Sequence, residues 1–247
     1  MKKLGLKDVK MSYNVLIYGE TGVGKTVSTL LTVPKPCAYV MLEQRGLPQE
    51  LDFKGVDVFV PENFIDLYNF LSIPSNFEDY QSVVVDSLSY LANVQLMVEL
   101  EEETRKSGTF NTQKRPLTYS VKTDLSGYGA LASWMVRIVD LLLRLSKTGK
   151  LVVSIATLAE NPKWDTDLWA VPAFAGREFN RVFTMFFDLI GLVIRRKEAG
   201  KTVYPPFVFF DQAEYKEREG DFMAKWTGKP QAKKAYLLDF SEILKEV

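Results

Sequence analysis

The sequence has no histidine and a single cysteine, Cys37, among its 247 residues. Without histidine there is no imidazole to act as a general base, and a zinc site of ordinary ligand composition is excluded. One cysteine cannot form a disulfide within the chain. Any catalysis must therefore use carboxylates, lysines, hydroxyl groups and a bound metal ion.

Long apolar runs and an excess of one charge are also missing. No stretch approaches the ~20 apolar residues of a membrane span, and the start, Met-Lys-Lys-Leu-Gly-Leu-Lys, lacks the apolar segment of a secretory signal. We therefore expect a cytoplasmic protein without a membrane partner. The 31 basic and 31 acidic side chains balance, which argues against strong non-specific DNA binding by an isolated monomer, although local basic patches can still bind DNA.

Patterns typical of strands and of helices alternate along the chain, which predicts βαβ units and a parallel sheet. The runs predicted as strands cover residues 14–18, 37–42, 56–60, 82–85, 151–156, 189–194 and 203–210. Helices are predicted over residues 25–31, 63–71, 87–106 and 127–147, and residues 159–175 are expected to be irregular. The charged turn 195–200 predicts a β-hairpin. We divide the chain into a core, residues 1–211, and a more polar tail, residues 212–247, that packs on the core or extends from it.

The segment Gly19–Thr26 reads Gly-Glu-Thr-Gly-Val-Gly-Lys-Thr and matches the phosphate-binding pattern G-x-x-x-x-G-K-[ST]. It lies between a predicted strand and a predicted helix, which is the context that such a loop requires. Inward-facing backbone N–H groups and the helix N-terminus form an anion site, and Lys25 adds a charge for the β and γ phosphates of a nucleoside triphosphate. The predicted nucleotide-binding residues are Gly19, Glu20, Thr21, Gly22, Val23, Gly24, Lys25, Thr26 and Val27.

Two oxygen ligands for Mg²⁺ are predicted near this loop. The Thr26 hydroxyl is the first, and the second is Asp86, which follows the β-branched run Ser82-Val-Val-Val. An aspartate at the end of a strand beside the loop can hold the metal through a water molecule. The alternative is that Asp86 caps the following helix, since Asp-Ser-Leu-Ser is suitable for an N-terminal cap.

The residue that activates water is predicted to be Glu43. Many motor ATPases and helicases place a glutamate directly after the metal aspartate, but Ser87 occupies that position here. Glu43 follows the predicted strand 37–42, and the carboxyl end of that strand should lie near the γ phosphate. The alternative is an ordinary solvated glutamate in a loop.

These three segments resemble the RecA-like recombinase family, and more narrowly its small phage-type members, the ATP-dependent single-strand annealing proteins. The phosphate loop, the strand Cys-Ala-Tyr-Val-Met-Leu-Glu43 and the strand Val-Val-Val-Asp86-Ser87-Leu carry the resemblance, which extends over residues 12–210. It implies a RecA-like α/β fold, that is, a P-loop NTPase core with a mainly parallel central sheet flanked by helices and a C-terminal β-hairpin. It also implies ATP and Mg²⁺ as cofactors, a catalytic role for Glu43, and a role for Thr157 in sensing the γ phosphate.

By the same resemblance, two loops would hold single-stranded DNA, residues 107–126 and 158–175. The candidate DNA-binding residues are Lys114, Arg115, Tyr119, Lys122, Lys163, Trp164 and Trp169. The first loop combines basic and aromatic side chains, so phosphate contacts and base stacking are both available to it, whereas a plain solvated basic loop is the alternative. The second loop is more acidic, and its aromatic side chains could instead fold back onto the core.

The resemblance also makes self-association into a ring or filament a candidate arrangement, with the nucleotide between subunits. A basic residue of a neighbouring subunit would then stabilise transition-state charge. The candidates are Arg177, Arg181, Arg195, Arg196 and Lys201, and ordinary surface charges are the alternative. A phage protein in a bacterial host, with a single-stranded-DNA-binding protein as a further partner, fits this interpretation.

The predicted function is Mg²⁺-dependent ATP hydrolysis coupled to single-stranded DNA binding, annealing or recombination. A nucleotide kinase would need an arginine-rich lid, but residues 107–126 contain one arginine. A nucleotide-gated interaction or assembly factor with little response to DNA is an alternative, as is a helicase or a helicase-loader-like ATPase.

Overall fold

The computed structural model describes residues 13–44, 46–48, 50–107, 125–162 and 167–247. Within these ranges, the strands are β1 (Tyr13–Gly19), β2 (Cys37–Met41), β3 (Val56–Phe59), β4 (Ser82–Asp86), β5 (Leu151–Glu160), β6 (Leu168–Pro172), β7 (Leu189–Glu198), β8 (Lys201–Phe209), β9 (Asp221–Phe222) and β10 (Ala235–Leu237). The helices are α1 (Lys25–Thr32), α2 (Phe64–Ser72), α3 (Leu88–Tyr90), α4 (Leu96–Ser107), α5 (Leu125–Ser146), α6 (Arg177–Val182) and α7 (Phe240–Glu246). A π-helical turn, Leu91–Gln95, joins α3 to α4, and short 3₁₀ helices occur at Pro74–Phe77, Phe183–Phe186 and Gln212–Glu214.

The central sheet has the strand order β10-β8-β7-β1-β5-β4-β2-β3. The pairings from β7 to β3 are parallel, whereas β8 and β10 add antiparallel strands at one edge. The central strands are nearly continuous apolar runs because they are buried on both faces. The predicted fold class, a mainly parallel sheet flanked by helices with a C-terminal β-hairpin, is confirmed.

The parallel arrangement brings the predicted site residues to one edge of the sheet. β1 ends at Gly19, which pairs with Thr157 of β5. β4 ends at Asp86, which pairs with Ile155 of β5 on one side and with Met41 of β2 on the other. Since the carboxyl ends of parallel strands meet at the same edge, segments distant in sequence converge there.

Two apolar cores lie on the two faces of the sheet. One contains residues of α1 and α7, among them Leu30, Phe240 and Ile243. The other contains residues of α2, of the α3–α4 segment and of α5. One apolar face of α5 is buried in this second core: Leu131, Met135, Ile138, Val139, Leu142 and Leu145.

The tail, residues 212–247, packs against the core along its length. β9 pairs with β6, and β10 pairs with β8. The side chain of Phe240 at the start of α7 is fully buried, and its backbone N–H donates a hydrogen bond to Thr32 Oγ1 of α1 at 3.1 Å. These contacts make the tail a part of both sheets, and its buried residues Phe222 and Phe240 belong to different apolar cores.

The prediction that residues 159–175 are irregular is wrong for much of that segment. β5 continues past the central sheet to Glu160 and pairs there with β6 in antiparallel fashion. The sequence does not reveal this hairpin because β5 continues beyond the parallel sheet. There it pairs with β6, which also pairs with β9 to form a second, smaller sheet. The charged segment 195–200 is likewise mostly strand, and the turn is confined to Ala199 and Gly200, both with positive φ. Among the described residues, no helix is long and apolar enough to cross a membrane.

Candidate nucleotide site

The loop between β1 and α1 has a backbone that only glycine adopts readily at two positions. Gly22 and Gly24 have φ angles of 76° and 99°, in the left-handed region. A Cβ atom on Gly24 would lie 2.6 Å from Cε1 of Tyr204, and one on Gly19 would lie 2.4 Å from the carbonyl oxygen of Val193. The glycine pattern is therefore required both by the turn and by the close approach of β7 and β8.

A cavity of about 550 Å³ opens at this loop, a volume typical of small-molecule sites. It brings together most of the residues that the sequence singled out. They are Thr21, Gly22, Gly24, Lys25, Thr26, Val27, Glu43, Asp86 and Thr157. Gly19, Glu20 and Val23 belong to the same loop but do not line the cavity.

The Lys25 side chain is buried beneath the loop at the start of α1. Its ammonium group donates hydrogen bonds to the carbonyl oxygens of Gly19 and Glu20, both at 2.7 Å. These bonds hold the cation at the loop, where the N-terminus of α1 also favours an anion. The geometry places the positive charge where the phosphates of a nucleotide would lie.

Thr26 and Asp86 are in direct contact at the edge of the cavity. The Thr26 hydroxyl donates a hydrogen bond to Asp86 Oδ2 at 2.5 Å, and the Tyr39 hydroxyl donates a longer one, 3.3 Å, to the same oxygen. Burial raises the pKa of the Asp86 carboxyl, and the nearby charge of Glu43 raises that pKa further. Burial likewise raises the pKa of Tyr39, so its hydroxyl stays a donor.

These oxygens suit a hard divalent cation. Mg²⁺ is usually held by one or two carboxylates together with phosphate oxygens and water, so a buried aspartate beside a threonine hydroxyl is sufficient protein ligation. The alternative role for Asp86, capping the following helix, is filled by its neighbour. Ser87 Oγ accepts a hydrogen bond from the backbone N–H of Tyr90 at 3.1 Å and so caps α3.

Glu43 follows β2 and is hydrogen-bonded to the end of β4 through both its side chain and its backbone. Its Oε1 accepts a hydrogen bond from Ser87 Oγ at 3.0 Å. The carbonyl oxygen of Asp86 accepts the backbone N–H of Leu42 at 2.7 Å and that of Glu43 at 3.4 Å. The carboxylate is therefore oriented beside the cavity. Sequence reasoning did not foresee the contact of Ser87 with Glu43.

Glu43 also lines a second, polar cavity of about 570 Å³. Glu62 and Glu99 lie in the same wall, which gives this cavity an acidic lining. Glu43 thus separates the nucleotide cavity from an acidic one.

Thr157 lies opposite Gly19 in the sheet and lines the cavity. Its backbone N–H donates to Ser89 Oγ and its carbonyl oxygen accepts the N–H of Ala173, both at 2.9 Å. Thr157 therefore lies at the cavity, with its backbone bonded to two other segments.

The described part of the second loop folds back on the protein. Trp169 is 7% exposed, and the Arg218 guanidinium lies 4.2 Å from the centre of its ring. This placement follows the alternative in which the aromatic side chains pack on the core, so Trp169 is not presented for base stacking. The other DNA-binding candidates lie outside the described residues: Lys114, Arg115, Tyr119, Lys122, Lys163 and Trp164.

The basic candidates for action on a neighbouring subunit occupy two places. Arg195, Arg196 and Lys201 lie on the β7–β8 hairpin, beyond the pairing of Val193 with Gly19 and therefore on the cavity side of the sheet. Arg196 is paired with Glu198 within the hairpin at 2.5 Å. Arg177 and Arg181 belong to α6; Arg181 is exposed, and the Arg177 side chain lies outside the described part of the structure.

Sequence reasoning missed an apolar wall of the cavity. Tyr204 of β8 is 57% exposed and lines the cavity where it packs on Gly24. Leu31, Leu47 and Leu51 are further apolar lining residues. No local motif signals these positions, because β8 reaches the loop only through the order of strands in the sheet.

A comparison with protein families agrees with a nucleotide-hydrolysing core. A family model described as an AAA domain matches residues 11–209, a range that contains β1 to β8 and every wall of the cavity. The chain is similar in structure to a KaiC-like protein, PH0186, from the hyperthermophilic archaeon Pyrococcus horikoshii OT3. That similarity has a TM-score of 0.49 and 11% sequence identity, and it covers 93% of this chain and 87% of the other. No curated protein matches the sequence.

Replacing Asp86 with asparagine should separate metal binding from folding. Since burial penalises the charged carboxylate, we expect the Asp86→Asn protein without nucleotide to melt at pH 7 at the same or a higher temperature than the native protein. A carboxyl whose pKa is raised by folding contributes stability at low pH that is lost as the pH rises through the raised pKa, and the variant should lack this dependence.

ATP with Mg²⁺ should raise the melting temperature of the native protein more than ATP with a chelator, and the variant should lose that difference. Thermal denaturation under both conditions measures it. The control is Asp140→Asn, which removes an aspartate paired with Arg144 on α5. If the Asp86→Asn protein were less stable without nucleotide and its melting temperature still rose with Mg²⁺ and ATP, Asp86 would not be a ligand of the metal.

Proposed function

Since this chain belongs to the AAA domain family, we propose that it is a P-loop ATPase of the RecA-like type that hydrolyses ATP with Mg²⁺ and couples the nucleotide state to single-stranded DNA. The convergence of Lys25, Thr26, Asp86 and Glu43 at one cavity carries the chemical part of this proposal. The DNA part, in annealing or recombination, rests on the resemblance to phage-type annealing proteins. On the same resemblance, we propose that the protein acts in the cytoplasm of a bacterial host and that a single-stranded-DNA-binding protein is a partner.

Different groups at the phosphate loop would bind different parts of the triphosphate. Backbone N–H groups at the N-terminus of α1 bind phosphate oxygens, and Lys25 turns its ammonium group from the carbonyl oxygens of Gly19 and Glu20 toward the β and γ phosphates. Thr26 and Asp86 would hold Mg²⁺, with the Thr26 hydroxyl turned away from the carboxylate. A bound Mg²⁺ neutralises charge on the phosphate oxygens.

Glu43 is the group proposed to orient the attacking water and accept its proton. The Ser87 hydroxyl fixes one oxygen of the Glu43 carboxylate at 3.0 Å, and Asp86 is already engaged by Thr26 and Tyr39. A carboxylate held in place beside the cavity is suited to general base catalysis. The contact with Ser87 and the position of Glu43 in the cavity wall support the assignment of base to Glu43.

Coupling to DNA requires a connection between the cavity and a DNA-binding surface. Strand β5 offers one, because it lines the cavity at Ile155–Thr157 and then continues as the first strand of the second sheet. The segment 107–126, whose sequence carries Lys114, Arg115 and Lys122, is the proposed phosphate-binding surface. It joins α4, which continues the helix after the metal strand, to α5.

Single-stranded DNA should stimulate steady-state ATP hydrolysis several-fold at low salt, and moderate salt should reduce the stimulation because phosphate contacts release counterions. The measurement compares the native protein with Lys25→Ala, which controls for contaminating ATPase activity. A variant with Lys114, Arg115 and Lys122 changed to alanine should keep the basal rate and lose the stimulation. ATP turnover that DNA does not change would contradict the coupling and favour the nucleotide-gated interaction factor; strand separation or loading of another ATPase would favour the helicase alternatives.

Self-association is proposed as part of this function, on grounds of charge. The acidic cavity beside Glu43, with Glu62 and Glu99 in its wall, would receive the basic β7–β8 hairpin of a second copy. Arg195 and Lys201 are exposed on that hairpin. A cation placed there would lie next to the proposed base and near the γ phosphate.

Mixing two inactive variants tests this arrangement. One variant is Glu43→Gln, and the other has Arg195, Arg196 and Lys201 changed to alanine. If the hairpin acts on a neighbouring subunit, random mixing completes about a quarter of the sites, and a 1:1 mixture should regain that share of the native ATPase rate. A mixture no more active than its components would show that these basic residues do not act between subunits.

A further inference from the structure

The helical segment that follows β4, beginning at Leu88, is hydrogen-bonded to the β5–β6 hairpin at two points. Ser89 and Asn93 lie four residues apart on this helical segment and therefore on one side of it. Ser89 Oγ accepts the backbone N–H of Thr157 at 2.9 Å. The Asn93 side-chain amide donates to the carbonyl oxygen of Ala173 at 2.8 Å.

A third hydrogen bond closes a ring of contacts. The backbone N–H of Ala173 donates to the carbonyl oxygen of Thr157 at 2.9 Å. Thr157 is thus bonded through its N–H to the helix and through its carbonyl oxygen to the end of β6. Ala173 is bonded through its N–H to β5 and through its carbonyl oxygen to the helix. The helix, β5 and β6 consequently form one hydrogen-bonded unit beside the nucleotide cavity.

The local structure of the helix explains why Asn93 reaches this position. Asn93 lies in the π-helical turn Leu91–Gln95, where the widened turn changes the direction of the side chains relative to a regular α-helix. Ser89 is 3% exposed. The Ser89 hydroxyl is therefore shielded from competing water, which favours the persistence of its bond to Thr157.

The nucleotide loop has a separate bond to the same hairpin. The buried Tyr18 hydroxyl, one residue before Gly19, lies 2.8 Å from the carbonyl oxygen of Met223 and 3.2 Å from that of Ala170 in β6. We call the described parts of this hairpin, residues 158–162 and 167–172, the arm. The Tyr18 hydroxyl donates its proton mainly to Met223, whose backbone N–H donates to the carbonyl oxygen of Ala170, so the strand before the phosphate loop also contacts the arm.

We propose that Ser89 and Asn93 are positioning residues that fix Thr157 at the cavity and make the arm respond to the bound nucleotide. Thr26 and Asp86 would hold the Mg²⁺ that accompanies ATP, and the helix that begins two residues after Asp86 would carry any resulting shift to Thr157 and Ala173. The inference rests on the proposed ATP site, because the signal originates at Asp86. It does not require that the arm itself binds DNA.

The test is hydrogen exchange of arm peptides, with and without Mg²⁺ and a non-hydrolysable ATP analogue, in the full chain. In the native protein, nucleotide should change the exchange of residues 158–162 and 167–172. In Asn93→Leu, which keeps the size but removes the donor, this change should be lost. The affinity for the analogue should stay within about twofold, and kcat should fall several-fold while KM changes little.

The matched control is Asn76→Leu. Asn76 is also half-buried, and its side-chain amide donates to the carbonyl oxygen of Phe70 at 3.0 Å, at the end of α2. It removes the same kind of bond, so any general loss of stability should appear in both variants, whereas the exchange response and kcat should change only in Asn93→Leu. If Asn93→Leu does not fold, Ser89→Ala provides the same test.

The outcomes separate this inference from the proposed function. A native protein that hydrolyses ATP but shows no nucleotide-dependent exchange in the arm would overturn the inference and leave the ATPase intact. An Asn93→Leu protein with native kcat and a native arm response would overturn it as well. Absence of DNA stimulation in the native protein would contradict the DNA part of the proposed function and would not contradict this inference.

Discussion

The hydrogen bonds that the Asp86 carboxylate accepts hold together the elements around the cavity. The carboxylate lies at the end of β4, between β5 and β2, so it is buried by the same parallel strands that bring the other site residues to this edge. The hydroxyls of Thr26 and Tyr39 converge on one of its oxygens. A buried carboxylate is unfavourable unless it is bonded, and here its partners come from the helix after the phosphate loop and from the neighbouring strand. The position of Thr26 therefore depends on β4 as much as on its own motif.

The residues next to Asp86 extend this organisation in two directions. Ser87 caps α3 and also donates to Glu43, so a single hydroxyl joins the metal strand to the proposed base. Ser89 binds the backbone of Thr157 on the other side. The short polar stretch Asp-Ser-Leu-Ser thus contains Asp86 and contacts both Glu43 and Thr157. The proposed coupling between ATP hydrolysis and the arm depends on this shared start of one helix.

The phosphate loop, Asp86 and Glu43 could be predicted from sequence because each stands at the end of an apolar run, and parallel strands bring such ends together. The N-terminal capping alternative was natural for Asp86, since both it and Ser87 suit a cap, and only the geometry assigns the cap to Ser87. Tyr204 and the β6 strand were missed for a common reason. Their positions depend on pairing between strands distant in sequence, which periodicity within one segment does not report.

The burial of Trp169 shows the same limit in another form. An aromatic side chain in a polar segment is equally suited to stacking on a base or packing on the core, and composition does not distinguish them. The partners that bury Trp169, including Tyr215, Arg218 and Phe222, come from the tail. The sequence left both roles open for Trp169 because it does not show which part of the tail packs on this residue.

The most direct test of the account is the separation of ATP binding from ATP turnover at Glu43. Glu43→Gln keeps the size of the side chain and its ability to accept from Ser87 but removes the base. We predict an affinity for a fluorescent ATP analogue within about twofold of native and a turnover lower by about 100-fold or more. Glu78→Gln, a glutamate shortly before β4 at the opposite edge of the sheet, should leave both unchanged. Native turnover in Glu43→Gln would contradict the assignment of the catalytic base and the division of roles between Glu43 and Asp86.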